Sequence, residues 1–143
     1  MTSPPPMRWS YSYYDGELSA PLYTISEPSP TGSGVSKLTL GYDTQGRVTS
    51  QQSSSGNLTT FKYGSSNTIT KVFDKTGKLV DYRDYFFDAQ QRGTGIGDAE
   101  GHRSIIQYGD PANPYKPTTV IQPDGKSAQY QYDAFGNVMK MTE

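Results

Sequence analysis

One five-residue pattern constrains this chain more than any other feature. An aromatic residue, Asp, two variable positions and Gly occur at Tyr42-Asp43-Thr44-Gln45-Gly46, at Phe73-Asp74-Lys75-Thr76-Gly77 and at Tyr132-Asp133-Ala134-Phe135-Gly136. A shuffled chain with the same 12 Tyr, 5 Phe and 15 Gly yields roughly 0.1 such matches, so three of them mark an internal repeat. Each Gly is followed two residues later by an aliphatic side chain, Val48, Leu79 or Val138. Asp can accept a bond from a backbone N–H two residues on, and Gly takes the positive φ that closes a turn without a Cβ clash. The pattern is therefore a turn that feeds a strand, and Gly46 and Gly136 are expected at positive φ.

A second spacing, Gly-x6-Tyr, runs from Gly56 to Tyr63, from Gly101 to Tyr108 and from Gly125 to Tyr132. Gly56 lies 10 residues after Gly46 and Gly125 lies 11 before Gly136, the distance of one strand plus one turn. Counting back in twos from each Tyr puts Phe61 and Thr59, Ile106 and Ser104, and Tyr130 and Ala128 on one face. Lys62, Gln107, Gln129 and Gln131 fall on the other, wetter face. Units of this kind do not bury their aromatic face alone, so stacked neighbours complete the core.

Composition agrees with strands and narrows the function classes. Leu, Ile, Val and Phe number only 23 of 143 residues, a level at which disorder competes with folding. Disorder also requires high net charge, and here 13 basic residues nearly balance 14 acidic ones. Any core is then built from aromatic and β-branched side chains on strands between Gly and Pro turns. A net charge of −1 leaves no electrostatic footprint for nucleic acid or an anionic membrane. The absence of Cys removes disulfides, thiolate metal sites and a Cys nucleophile. No run of 18 apolar residues exists for membrane insertion, and the start, Met1 to Met7, lacks the basic and apolar regions of a Sec signal.

Residues 1–36 form a Pro/Ser/Tyr-rich N-terminal segment, partly extended, and residues 37–143 the repeat-built β domain. In the first, Pro4, Pro5, Pro6, Pro28 and Pro30 punctuate the chain and Gly32-Ser33-Gly34 marks a flexible break. Trp9-Ser10-Tyr11-Ser12-Tyr13 alternates aromatic with polar, which reads as one strand carrying its rings on a single face. Trp9, Tyr11 and Tyr13 are candidates for ligand stacking, on sugars for example.

The residues from Tyr42 to Val48, from Gly56 to Tyr63, and above all Gly125-Lys-Ser-Ala-Gln-Tyr-Gln-Tyr132-Asp133-Ala-Phe-Gly136-Asn137-Val138 resemble the YD repeats of the Rhs family, which includes Rhs polymorphic toxins, the C components of Tc toxin complexes and the teneurins. The resemblance runs from about Lys37 to Glu143. It implies an all-β fold of antiparallel strand-turn units, a segment of a β-shell or spiral sheet, serving as a non-catalytic scaffold. The structural repeat positions are Tyr42, Asp43, Gly46, Gly56, Tyr63, Phe73, Asp74, Gly77, Gly101, Tyr108, Gly125, Tyr132, Asp133 and Gly136. The partners it implies are further repeats or a second copy through exposed sheet edges, and an encapsulated toxin domain. A secreted or cell-surface location follows from the resemblance alone. With three to four units, closure of a cavity by this chain alone is not expected. Asp110-Pro111 is followed by Ala112-Asn113, so the self-cleavage of the family's Asp-Pro-x-Gly-Leu-like segment is not carried over.

Candidate chemistry is sparse. His102 is the only His, in the turn or strand start of a repeat, with no Cys and no second His to make a metal site or a nucleophile–base pair. Gly93-Thr-Gly95-Ile-Gly97 reads as a flexible loop, since no Gly-Lys-Ser/Thr follows to make it a phosphate loop. Asp81, Asp84 and Asp88 fit no EF-hand spacing. No catalytic, cofactor or metal residue is assigned, and no enzyme is expected. The alternative to a scaffold is a carbohydrate-binding or adhesive β module that uses its exposed rings.

Overall fold

The computed structural model describes residues 8–16, 20–27 and 37–143. Its regular structure is strand: β1 (Ser10–Tyr13), β2 (Leu22–Ser26), β3 (Lys37–Tyr42), β4 (Val48–Ser53), β5 (Leu58–Tyr63), β6 (Asn67–Phe73), β7 (Leu79–Phe87), β8 (Gly93–Gly97), β9 (Arg103–Gln107), β10 (Thr119–Ile121), β11 (Ser127–Tyr132) and β12 (Val138–Thr142). Thr, Tyr, Val and Ile fill these segments because their side chains pack on a pleated surface at little conformational cost. Among the described residues the one helical stretch is the three-residue 3-10 turn Tyr14–Gly16, and within it Asp15 (φ 58°) already leaves helical space. The expected proline punctuation at Pro4 to Pro6, Pro28 and Pro30, and the break at Gly32 to Gly34, lie outside the described residues.

The chain forms two compact units, Met1–Lys62 with Lys71–Asp81, and Tyr63–Thr70 with Tyr82–Glu143. In the first, β1 to β5 pair antiparallel in chain order, with the rows Tyr11↔Ile25, Ile25↔Leu38 and Leu38↔Ser53 crossing four strands. In the second, β7 to β12 pair antiparallel in chain order. There Ile106 lies opposite Val120, and Val120 opposite Ala128, so Ile106, Ala128 and Tyr130 share one face as their period of two requires.

Among the described residues, seven of the connections close in the same way. The residue at position i donates its N–H to the carbonyl of i+4, and the N–H of i+3 returns to the carbonyl of i, with i at Asp43, Ser53, Asp74, Asp88, Asp98, Gln122 and Asp133. This is the three-residue hairpin loop, a type I turn followed by a left-handed residue at a bulge. Six left-handed positions hold Gly, at 46, 56, 77, 101, 125 and 136, with φ from 77° to 89°. The seventh holds Gln91, at φ 62°.

The reading of Gly93 to Gly97 as a flexible loop is corrected here. These residues form β8, paired to β7 through Phe86↔Gly95 and to β9 through Gly95↔Ile105. The glycines give room rather than flexibility. Arg103 lays its guanidinium 3.6 Å over the ring of Phe86. A Cβ at Gly95 would come within 2.8 Å of the Arg103 Nε and 2.3 Å of the Ser104 carbonyl oxygen. Glycine in a strand interior marks such a close approach.

Interior volume is scarce in both units. Leu40 is the one buried apolar side chain among the described residues, and Thr24 and Asn113 are the buried polar ones. Cross-strand neighbours and ladder hydrogen bonds therefore carry the stability, more than an enclosed core does. The first unit adds a tyrosine cluster, with Tyr14 4.7 Å from Tyr23 and 6.0 Å from Tyr42 between ring centres.

Candidate functional site

The chemistry-bearing side chains of the repeat are concentrated at the turns, and the turns consume them. Asp43 Oδ1 accepts the N–H groups of Gln45 and Arg47 at 2.9 and 3.0 Å, while Oδ2 takes the Arg47 Nε at 2.8 Å. Asp133 repeats this with the N–H groups of Phe135 and Asn137 at 2.8 and 2.9 Å and the Asn137 amide at 3.0 Å. Asp88 does the same with Gln90, Arg92 and the Arg92 Nε, and Asp98 with Glu100, His102 and the His102 Nδ1. Asp74 holds Thr76 and Lys78, with the Thr76 hydroxyl as a third donor.

These donors favour the charged carboxylate and hold it below the ordinary range. For Asp43 the Arg47 N–H is the main cause, for Asp74 the Thr76 hydroxyl, and for Asp133 the Asn137 side chain. A general acid needs the opposite displacement, toward the working pH. Asp98, Glu100 and His102 bring potential ligand atoms within 4.8 Å of one another at an exposed turn. The Asp98 contacts there are those of the other aspartate turns, so the cluster is a product of the turn itself. The carboxylates of Asp84 and Asp88 do not converge either, since Asp84 accepts the Asn67 amide at 2.8 Å while Asp88 closes its own turn.

The tyrosine preceding the turn has its own task. The Tyr42 hydroxyl donates to the carbonyl of Leu22, Tyr108 to Gly93 and Tyr132 to Pro117, each at 2.7 Å. Each ring thus spans its neighbours and ties the strand end to a carbonyl 15 or 20 residues earlier in the chain. Desolvation pushes the Tyr132 phenol up, keeping it a donor. Tyr63 ends β5 and Phe73 ends β6, and Phe73 has no hydroxyl for such a tie.

Sequence reasoning missed three sets of residues here. The i+4 partners Arg47, Lys78, Arg92, His102 and Asn137 are polar after every turn aspartate, a signal present in the sequence. Tyr14, whose hydroxyl reaches the Leu40 carbonyl at 2.9 Å, carries no repeat signature. Asn113 donates to Asp110 Oδ2 at 2.9 Å and to the Asp133 carbonyl at 3.1 Å, fastening the long β9–β10 connection onto the last turn.

The most open surface of the second unit is its last strand. Among the described residues β12 pairs with β11 alone, and its Val138, Met139 and Met141 are 56%, 67% and 51% exposed. Beside it a hollow of about 510 Å³ is floored by Val120, Ala128, Tyr130 and Met141 and rimmed by Lys126 and Glu143. A strand edge with unpaired N–H and C=O groups, next to exposed apolar side chains, is a template for another strand. In the first unit Trp9 and Tyr11 are 54% and 56% exposed, whereas Tyr13 is half-buried. Among the described residues no helix is long and apolar enough to cross a membrane.

A comparison with curated proteins finds no match. The RHS Repeat family model matches residues 116–143, a stretch that contains β10, β11, β12 and two of the seven turns. Through that match, and with an all-β architecture built from one recurring turn, this chain resembles the YD/Rhs-repeat family.

Proposed function

We propose that this chain is a non-catalytic scaffold segment of an Rhs-like protein, a stretch of repeat-built wall associated with toxin delivery or with a cell surface. The observation that supports this reading is where the repeat spends its polar groups. Five turn carboxylates, those of Asp43, Asp74, Asp88, Asp98 and Asp133, are occupied by backbone N–H donors of their own turns. Their chemistry is architectural. The partners of such a wall are further repeats at its strand edges, a second copy when no other strand is supplied, and an enclosed toxin domain in shells of the kind the resemblance implies. The apolar exposure of β12 beside its open edge fits strand addition.

Light scattering across a wide concentration range tests the reading. A mass that rises with concentration, and falls back to that of a monomer when Met139 and Met141 are both replaced by Lys, is the expected result. A strict monomer at every concentration, with β12 amides fully protected in hydrogen exchange, would overturn it.

A further inference from the structure

We infer that Met139 and Met141 form an oxidation site, at which a peroxide releases the association of chains that β12 supports. This rests on the scaffold reading and adds its regulation. The two are the only methionines among the described residues, and both stand on a strand whose outer edge has no partner there. They are 67% and 51% exposed, which leaves their thioethers within reach of a small oxidant. The chain has no Cys, so no thiolate of its own competes with these thioethers for a peroxide.

Register gives the two residues different places on one edge. Met141 lies opposite Tyr130, on the face that carries Ala128 and Val120, and lines the hollow of about 510 Å³. Met139 falls between Val138, opposite Tyr132, and Lys140, opposite Gln131, as the extra residue of a bulge. A strand of a second copy added to this edge runs beside both side chains and takes them out of water. With hydrogen peroxide, the thioether sulfur attacks one oxygen, an S–O bond forms and the O–O bond breaks. The oxygen now on sulfur gives its proton to the departing hydroxide, which leaves as water. Sulfur loses two electrons and the peroxide gains them. The sulfoxide oxygen is a polar acceptor, and an acceptor pressed between strands whose N–H groups are committed to the ladder loses its water without gaining a donor. Coverage and oxidation therefore oppose each other, each by the same factor in affinity. A thiol-dependent sulfoxide reductase restores the thioether, so the release is reversible.

The full chain is treated with hydrogen peroxide and digested with trypsin, which cuts after Lys140 and so puts Met139 and Met141 on separate peptides for mass spectrometry. In dilute chain both should oxidise within about threefold of the rate of N-acetylmethionine amide in the same tube, and severalfold more slowly in concentrated, associated chain. After oxidation the concentration at half-association, read by light scattering, should rise about tenfold or more. Sulfoxide reductases with dithiothreitol should return it to its first value. The double variant Met139→Leu, Met141→Leu keeps the apolar volume and should associate like the parent with or without peroxide. Peptides free of sulfoxide overturn the site. A threshold unmoved by full oxidation, or moved equally in the leucine variant, overturns the release. A parent that is monomeric at every concentration before peroxide overturns the scaffold reading and the release together, whereas a parent that associates and ignores oxidation overturns the release alone.

Discussion

The turn at residues 88–92 and the turn at residues 133–137 have the same backbone and different means of holding it. In both, the first residue donates to the carbonyl of the fifth, and an aspartate gathers two N–H groups. The later turn puts Gly136 at the left-handed position, at φ 80°, while the earlier one puts Gln91 there, at φ 62°. A side chain in that region costs on the order of 1–2 kcal/mol, which glycine avoids. The earlier turn offsets this with reach. Arg92 bonds Asp88 at 2.7 Å, donates to the Pro114 carbonyl at 2.6 Å and lies 4.5 Å from the centre of the Tyr108 ring. The lesson is that the loop geometry is set by the backbone pairing and the aspartate, with glycine the economical choice at one position.

The sharpest way to break this comparison is to put a β-branched residue at the later turn. Gly136→Val meets strain at positive φ and also crowding, because a Cβ there would stand 3.2 Å from the Oδ1 of Asn113, which its bonds to Asp110 and Asp133 hold in place, while the Lys116 Cε at 2.9 Å is a flexible chain end that swings away. Gly46→Val, at φ 77° with nothing within 4 Å, meets the strain alone. We expect a loss of about 1–2 kcal/mol for Gly46→Val and about 1 kcal/mol more for Gly136→Val, read as a drop in melting temperature. Equal losses would show that the packing of Asn113 against the last turn contributes nothing.

Next in size is the tyrosine tie that precedes the same turn. Tyr132→Phe keeps the ring and removes the bond to the Pro117 carbonyl, an expected cost of about 0.5–1.5 kcal/mol, measurable by denaturant melts. The opposite sign is expected at the earlier turn. Gln91→Gly relieves the left-handed strain but adds freedom to the unfolded chain, for a net gain of about 0.5 kcal/mol. A loss would mean that the Gln91 side chain makes contacts worth more than its strain.

The smallest effect is local and pH-dependent. The folded carboxyl of Asp43 titrates below its unfolded value, so its contribution is complete above the unfolded carboxylate pKa of about 4 and is lost as pH falls through the lowered folded value. The turn opened by Ser53 has the same backbone and no carboxylate at that position, only a hydroxyl bonded to Ser55 at 2.7 Å. In an acid titration followed by NMR, the amides of Gln45 and Arg47 should move with a midpoint below 4, while those of Ser55 and Asn57 stay in place.

How much of this was legible in the sequence follows from which parts are local. The aspartate and the glycine of the turn act within five residues, so Asp43 to Gly46, Asp74 to Gly77 and Asp133 to Gly136 could be read directly. The second spacing, from Gly56, Gly101 and Gly125, records the same turn seen from its left-handed position, which became plain only when Ser53, Asp98 and Gln122 proved to open it. Phe87-Asp88-Ala89-Gln90-Gln91 reads in sequence as a departure from the repeat, with Gln where Gly should stand, and the structure shows that the turn forms there all the same, with Gln91 at the left-handed position. The triple glycine of β8 misled because its cause, the Arg103 plane on Phe86, lies on two other strands.

The tyrosine ties also bear on how the chain acquires its structure. Each runs from a strand end to a carbonyl already synthesised, 15 residues back for Tyr108 and Tyr132 and 20 for Tyr42. Strands within each unit pair with their predecessors in the chain, so loop-closure entropy stays low at every step. Contacts of such short sequence separation favour fast formation despite an all-β architecture, where distant pairings usually slow the search. Each hairpin, once laid down, offers its outer edge and one carbonyl to the next. Growth during translation would then proceed in one direction, and at Tyr42, Tyr108 and Tyr132 the hydroxyl would fasten the newest strand end to backbone laid down before it.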